Sequence, residues 1–163
     1  MELLEKELED IVFKSPNRLL QDRGLDIFGK KYRQVSLYNY GIADIITFRK
    51  HYSPQVDLHT LTIDIWELKK DQVNINTLMQ ACRYVKAIKR IIEEGIGDVG
   101  RLLARFECVE ISINLLGTSI DYSSDFLYAI DFIENVSVYI AAYDLNGINF
   151  EQKEGFILNN EGF

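Results

Sequence analysis

The sequence predicts an α/β fold, a central mixed β-sheet flanked by helices on both faces. Three observations lead there. Two runs rich in β-branched and aromatic residues, 42–49 and 58–70, read as strands. A segment from about Asn74 to Glu94 carries apolar residues at helical spacing. Strand, helix and strand patterns then follow one another at the C-terminal end, an order that suits a mixed sheet with helices packed on it.

Taken in order, residues 2–13 predict a helix with the stripe Leu4, Leu8, Ile11 and Val12, and with Glu5 and Glu9 on a neighbouring face. Ser15 before Pro16 reads as an N-cap and a helix-starting proline, opening a short helix that Gly24 ends. Residues 27–37 read as a strand, and Tyr38-Asn39-Tyr40-Gly41 as a turn into the strand 42–49. Ser53-Pro54 interrupts the chain before the strand 58–70; the 22 residues between Asp44 and Glu67 are read as including an extended hairpin. In the helix 74–94, Leu78, Cys82, Val85 and Ile92 make one apolar stripe and Gln80, Tyr84, Ala87 and Ile91 another. Arg83, Lys86 and Arg90 face water. Gln80 therefore needs a hydrogen-bond partner, because a buried amide without one is costly. Asp98 is expected to cap a short helix ending near Phe106. Residues 107–115 read as a strand, 123–133 as a helix and 136–143 as a strand. Asn146-Gly147 reads as a tight turn into 148–152, and 155–163 as an edge strand or frayed end.

A chain of 163 residues suits one domain, with a core over 2–115 and an acidic strand–helix–strand part over 107–163. Hydrophobic residues at 47% and charged residues at 26% describe an ordinary globular protein. No stretch approaches the roughly 20 apolar residues of a membrane span, and the acidic start is unlike a secretory signal, so a cytoplasmic protein without a membrane partner is expected. Cys82 and Cys108 lie in apolar contexts and read as reduced, buried thiols. The net charge of −7 argues against a nucleic-acid enzyme, but its distribution is uneven. Residues 1–106 hold 17 Lys and Arg against 15 Asp and Glu, and residues 107–163 hold 1 against 10. The acidic third is not expected to touch DNA.

The chemistry concentrates between Gly41 and Tyr84. Asp44 stands between Ala43 and Ile45 in an apolar strand, where a carboxylate rarely lies without a partner. Glu67 and Lys69 are two apart, so they share a strand face while Trp66 and Leu68 take the other. Gln80 and Tyr84 are four apart on a helix and lie one above the other. Singly, each pattern also fits a solvated face or core packing. If Asp44 lies beside Glu67 and faces the same way, two carboxylates about 4 Å apart repel by roughly 4 kcal/mol at an effective dielectric near 20. Lys69 would offset part of that, and a hard divalent ion the rest.

The ordered set Asp44, Glu67-Leu68-Lys69 and Gln80-Ala81-Cys82-Arg83-Tyr84 resembles the PD-(D/E)xK nuclease superfamily with its downstream QxxxY helix motif. The nuclease domain of the EndoMS/NucS mismatch endonuclease family is the member it is most similar to. That resemblance extends upstream to Glu5-Lys6-Glu7-Leu8-Glu9-Asp10-Ile11, Ser15-Pro16, Gly24-Leu25 and Tyr32-Arg33, covering residues 2–92. It implies a restriction-endonuclease-like fold and Mg²⁺-dependent cleavage of DNA, with Mn²⁺ able to substitute. Asp44, Glu67 and a first-helix carboxylate, Glu9 with Glu5 as the alternative, would hold the metal. Lys69 would orient or activate the attacking water, and Gln80 and Tyr84 would brace the lysine or the scissile phosphate.

Lys30, Lys31, Arg33, Arg49 and Lys50 flank the expected site and read either as phosphate contacts or as solvated surface. The resembled family carries a further N-terminal domain for DNA binding and dimerisation, whereas this chain begins at the nuclease helix. A homodimer or a DNA-binding partner protein is therefore expected. The alternative reading is a nuclease-like fold kept as a binding module with an idle site. Three motifs carry no chemistry. Gly95-Ile96-Gly97-Asp98-Val99-Gly100 fits a dinucleotide fingerprint but follows a helix. His51 and His59 lack the neighbours of a zinc site, and Ser119, Ser123 and Ser124 lack a suitably spaced histidine.

Overall fold

The computed structural model describes residues 5–122, 135–146 and 149–159. One six-stranded mixed sheet organises them: β1 (Lys30–Ser36), β2 (Ile42–Ser53), β3 (Leu58–Leu68), β5 (Cys108–Gly117), β7 (Val136–Asn146) and β8 (Asn149–Asn159), side by side in that order. β1, β2 and β3 run antiparallel as a meander, β3, β5 and β7 run parallel, and β8 returns antiparallel. Strands from the acidic C-terminal part thus complete the same sheet. A small parallel pair, β4 (Gln72–Val73) with β6 (Ser119–Ile120), sits beyond the ends of β3 and β5.

Period-two patterning assigns the sheet's two faces. Ile46, Leu61, Ile63, Ile65, Ile113 and Val138 pack against α3 (Ile75–Glu93) and α4 (Gly97–Leu103). Ile45, Trp66, Leu68 and Leu116 pack on the other side against α1 (Glu5–Lys14) and α2 (Asn17–Asp22), through Leu8, Val12 and Leu20. α3 and α4 form the crossover that two parallel neighbours, β3 and β5, require. Helices on both faces of a mixed sheet are the expected architecture. Among the described residues no helix is long and apolar enough to cross a membrane.

Most elements lie where the sequence places them, with local differences. Pro16 occupies the N-cap position of α2 and Ser15 makes no side-chain cap; its N–H donates to Ile11 instead, finishing α1. Ile96, not Asp98, precedes α4. Asp98 lies inside the first turn, held by Arg101 at 2.5 Å. Ile27 is fully buried but precedes the strand, which starts at Lys30 after Gly29 turns the chain at φ +85°. Cys82 and Cys108 are free thiols, half-buried instead of buried, and burial pushes the Cys82 thiol up to about 11. The extended hairpin is present, since β2 and β3 pair out to Ser53 opposite Leu58. β8 forms an edge strand through Asn159. The expected helix 123–133, Leu4, Ser123, Ser124, Gly147 and residues 160–163 lie outside the described residues.

α3 begins with a capping box. Asn74 Oδ1 accepts from the N–H of Asn76 (3.0 Å) and Thr77 (3.2 Å), and Thr77 Oγ1 accepts from the N–H of Asn74 (3.4 Å). Asn74→Ala should lower unfolding free energy by about 1 kcal/mol in urea titrations, and Asn74→Gly by only a few tenths.

Candidate active site

Ile45 pairs with Trp66 across β2 and β3, and one step further along this register Asp44 stands opposite Glu67. Both lie at the rim of the sheet, on the face that carries Ile46 and Ile65. Asp44 Oδ2 accepts the backbone N–H of Leu68 at 3.1 Å. Glu67 is 0% exposed, and neither carboxylate oxygen has a hydrogen bond of normal geometry, although the N–H of Asp44 is close enough to favour the charged form. Lys69 follows where the strand ends, its Nζ 3.3 Å from Glu5 Oε1. Asp44, Glu67 and Lys69 thus lie within range of one another's charge.

Electrostatics register the crowding. Burial, then the charge of Asp44, pushes the Glu67 carboxyl up to about 8. Burial also raises Asp44, against the opposing pull of the Leu68 N–H and Lys69. At Lys69 burial works against the charge, but Glu5, Glu67 and Asp44 outweigh it and hold the ammonium above its ordinary range.

A second buried acid sharpens the contrast. Asp64, on the opposite face, accepts hydrogen bonds from Thr47 Oγ1 at 3.2 Å and Ser112 Oγ at 2.5 Å. It is a satisfied polar group; Glu67 is not. A hollow of about 970 Å³ lies on the Asp64 side, whereas Lys69 borders a smaller cavity of about 310 Å³ between Leu8, Leu116 and Phe150.

The helix motif is placed as a brace. Gln80 Nε2 donates to Tyr84 Oη (2.7 Å), which donates to the carbonyl of Ile42 (2.8 Å), two residues before Asp44. The partner that Gln80 needs is Tyr84. The pair anchors the start of β2 and makes no direct hydrogen bond to Lys69. Gly41 permits this: at φ +115° its missing Cβ would meet the Tyr84 ring at 3.1 Å.

The first-helix carboxylates take two different positions. Glu5 meets Lys69, whereas Glu9, 6% exposed, is turned to Arg33 (2.8 Å) and to Gln34 Nε2 (2.8 Å). Arg33 also pairs with Asp10 at 2.6 Å. Gln34 is the residue that sequence reasoning missed. It occupies the left-handed region at φ +49° between Arg33 and Val35, which pair with Ile45 and Ala43, so it stands opposite Asp44. No motif marks it, because its role comes from strand pairing.

Among the described residues no three acidic, histidine or cysteine side chains close on one point as a metal cage. The donor set nonetheless fits a hard cation. Mg²⁺ commonly takes one or two carboxylates and fills its shell with water and phosphate oxygens, and Asp44 with the unsatisfied Glu67 offers that pair.

Of the basic candidates, Lys31 donates to the carbonyls of Val12 (2.9 Å) and Ser15, closing α1, and Arg33 is held by Glu9 and Asp10. Lys30, Arg49 and Lys50 instead lie over the rings of Tyr32, Phe28 and Phe106, at 5.2, 5.2 and 5.8 Å.

Comparison with protein-family models and with curated proteins found no match. Among solved structures the chain is similar to a repair endonuclease from Pyrococcus abyssi, with 18% identity and a TM-score of 0.42 over 83% of this chain. The chain spans 46% of that protein's length.

Because Glu67 titrates higher when folded than when unfolded, the folded protein holds a proton that the unfolded chain has released between the ordinary carboxylate range and about pH 8. Without metal, stability should fall as pH rises through that window and be flat below it. Glu67→Gln should flatten the slope and raise Tm at pH 8 in EDTA. Millimolar Mg²⁺ should raise the wild-type Tm at pH 8 and leave that of Glu67→Gln in place, read by thermal denaturation.

Proposed function

We propose that the chain is a metal-dependent DNA endonuclease of the PD-(D/E)xK kind, hydrolysing phosphodiester bonds. The observation that carries the reading is Glu67, a fully buried carboxylate whose oxygens make no hydrogen bond of normal geometry among the described residues, within range of the charges of Asp44 and Lys69. A protein burdened with such a charge gains stability by neutralising it, and a ligand-bearing cation does so.

Asp44 and Glu67 would hold Mg²⁺ or Mn²⁺. The bound ion supplies positive charge that lowers the pKa of water and offsets the charge gathering on phosphate. Lys69, steadied by Glu5, donates hydrogen bonds towards the attacking water or a phosphate oxygen and so orients the reactants. Gln80 and Tyr84 act one step back, holding Ile42 and with it the start of the Asp44 strand. Glu9 becomes a ligand only by leaving Arg33 and Gln34, and Glu5 is the acid already beside the lysine. A homodimer or a DNA-binding partner protein would enlarge a small DNA footprint; light scattering of the chain alone and with DNA checks this.

The clasp on Glu9 favours a second reading, in which the fold is kept as a binding module with the site idle. Nicking of supercoiled plasmid, and cleavage of branched and single-stranded DNA, with Mg²⁺ or Mn²⁺ separates the two. Under the enzyme reading Glu67→Ala and Lys69→Ala each lose about 100-fold or more of the activity. Equal traces from wild type and both variants leave the module.

A further inference from the structure

The hairpin formed by β2 and β3 outgrows the sheet that carries it. β2 pairs with β1 only as far as Phe48, so Arg49–Ser53 pair with Leu58–Thr62 alone, and Leu58 and His59 also extend past the start of the β5 pairing. On this ribbon Arg49–Tyr52, the turn 54–57 and His59 are exposed, with Val56 at the tip 68% exposed, whereas Thr60 and Leu61 are buried at the base. It is nonetheless braced. The rings of Tyr52 and His59 stack at 4.6 Å, Tyr52 Oη donates to Asp57 at 2.8 Å, and His51 meets Ser53 at 3.2 Å. Leu61 anchors the base of the ribbon in the core, but beyond it the strands and their turn add nothing to the core, so a surface excursion of this length needs a reason.

Its charge differs from that of the rest of the molecule. In a chain of net charge −7, the base of the ribbon gathers Lys30, Arg49 and Lys50, and His51 and His59 lie further out. The three cations are poised on aromatic rings, and none ion-pairs with a described acid. The acids beside the ribbon are Asp57, bound to Tyr52, Glu107, which accepts the His59 N–H at 3.4 Å, and Glu110, which pairs with Thr62 one strand over from Arg49. A two-stranded ribbon is also one of the shapes the DNA major groove admits. From Asp44 to Lys50 is six residues of strand, about 20 Å at strand rise. That is about six base pairs of duplex.

We propose that this ribbon is a duplex-DNA arm, contacting the phosphate backbone through Arg49 and Lys50 about half a helical turn from the cleavage site. The arm rests on the nuclease reading for its distance to the site, and on its own charge and shape for its ligand.

The test is binding without cleavage. Fluorescein-labelled duplexes of 12 and 30 base pairs are titrated by anisotropy in EDTA. The proteins compared are wild type, Arg49→Glu/Lys50→Glu, and a shortened ribbon with residues 52–59 replaced by Asn-Gly; circular dichroism and Tm confirm that both variants fold. Wild type should bind the 30-mer at least tenfold more tightly than the 12-mer. Both variants should lose most of that advantage. The slope of log K against log salt should become shallower by about one unit per phosphate contact removed in Arg49→Glu/Lys50→Glu, while the shortened ribbon, which loses no Lys or Arg, should keep the wild-type slope. Unchanged 30-mer affinity in the shortened ribbon overturns the arm, as does a wild type that binds neither duplex. Ribbon-dependent binding by a protein that never cleaves DNA keeps the arm and removes the nuclease reading.

Discussion

A carboxylate shut away from water with nothing to donate to it is the constraint on which the rim of this sheet depends. Glu67 has no exposure and no hydrogen bond of normal geometry, and Asp44 stands opposite it. Like charges opposed across a ladder destabilise it, so the arrangement costs folding energy in the absence of a counter-ion. Lys69 supplies one positive charge, but Glu5 already engages it at 3.3 Å. With both acids ionised the rim would carry more negative charge than its own cation neutralises, and without a counter-ion the fold instead keeps a proton on Glu67 up to about pH 8. Strain of that kind, persisting in an otherwise well-packed core, is a feature of sites that bind.

The rest of the fold holds that strain in place. β2 and β3 share nine paired positions, so neither carboxylate escapes by sliding without turning its apolar neighbours to the wrong face. α3, started by its capping box, carries Tyr84 to the carbonyl of Ile42, and Gly41 leaves room for the ring. α1 closes the other side with Leu8 and Val12 in the core, and brings Glu5 to Lys69 and Glu9 to Arg33. Three elements from different parts of the chain thus converge on one edge of the sheet. The rim opens at Lys69 and Glu5, whose side chains are 25% and 44% exposed, so a ligand entering there meets the lysine before the buried acids.

Two of the buried acids, Asp64 and Glu67, show why burial alone does not define a site. They sit three apart on one strand and so face opposite ways. Asp64 has two hydroxyls to satisfy it, from Thr47 and Ser112, which makes it a polar girder between β2, β3 and β5. Glu67 has no such donors. The difference lies in what the neighbouring strands present, not in the acids themselves.

The sequence alone determined most of the element order and which residues of a strand share a face; the grouping of Asp44 with Glu67, Lys69, Gln80 and Tyr84 is an expectation from a family resemblance. The order and the faces follow from periods of two and 3.6 residues and from local breakers such as Ser53-Pro54 and Gly41, all short-range properties of the chain. Only the tertiary structure decided which partners the polar groups take. It gave Glu9 to Arg33 and Gln34, Glu5 to Lys69, Lys31 to the end of α1, and the Tyr84 hydroxyl to Ile42. Those pairings join residues 16 to 64 positions apart. A side chain's long-range partner depends on strand register and helix placement, and Gln34 comes to face Asp44 only because β1 and β2 pair where they do.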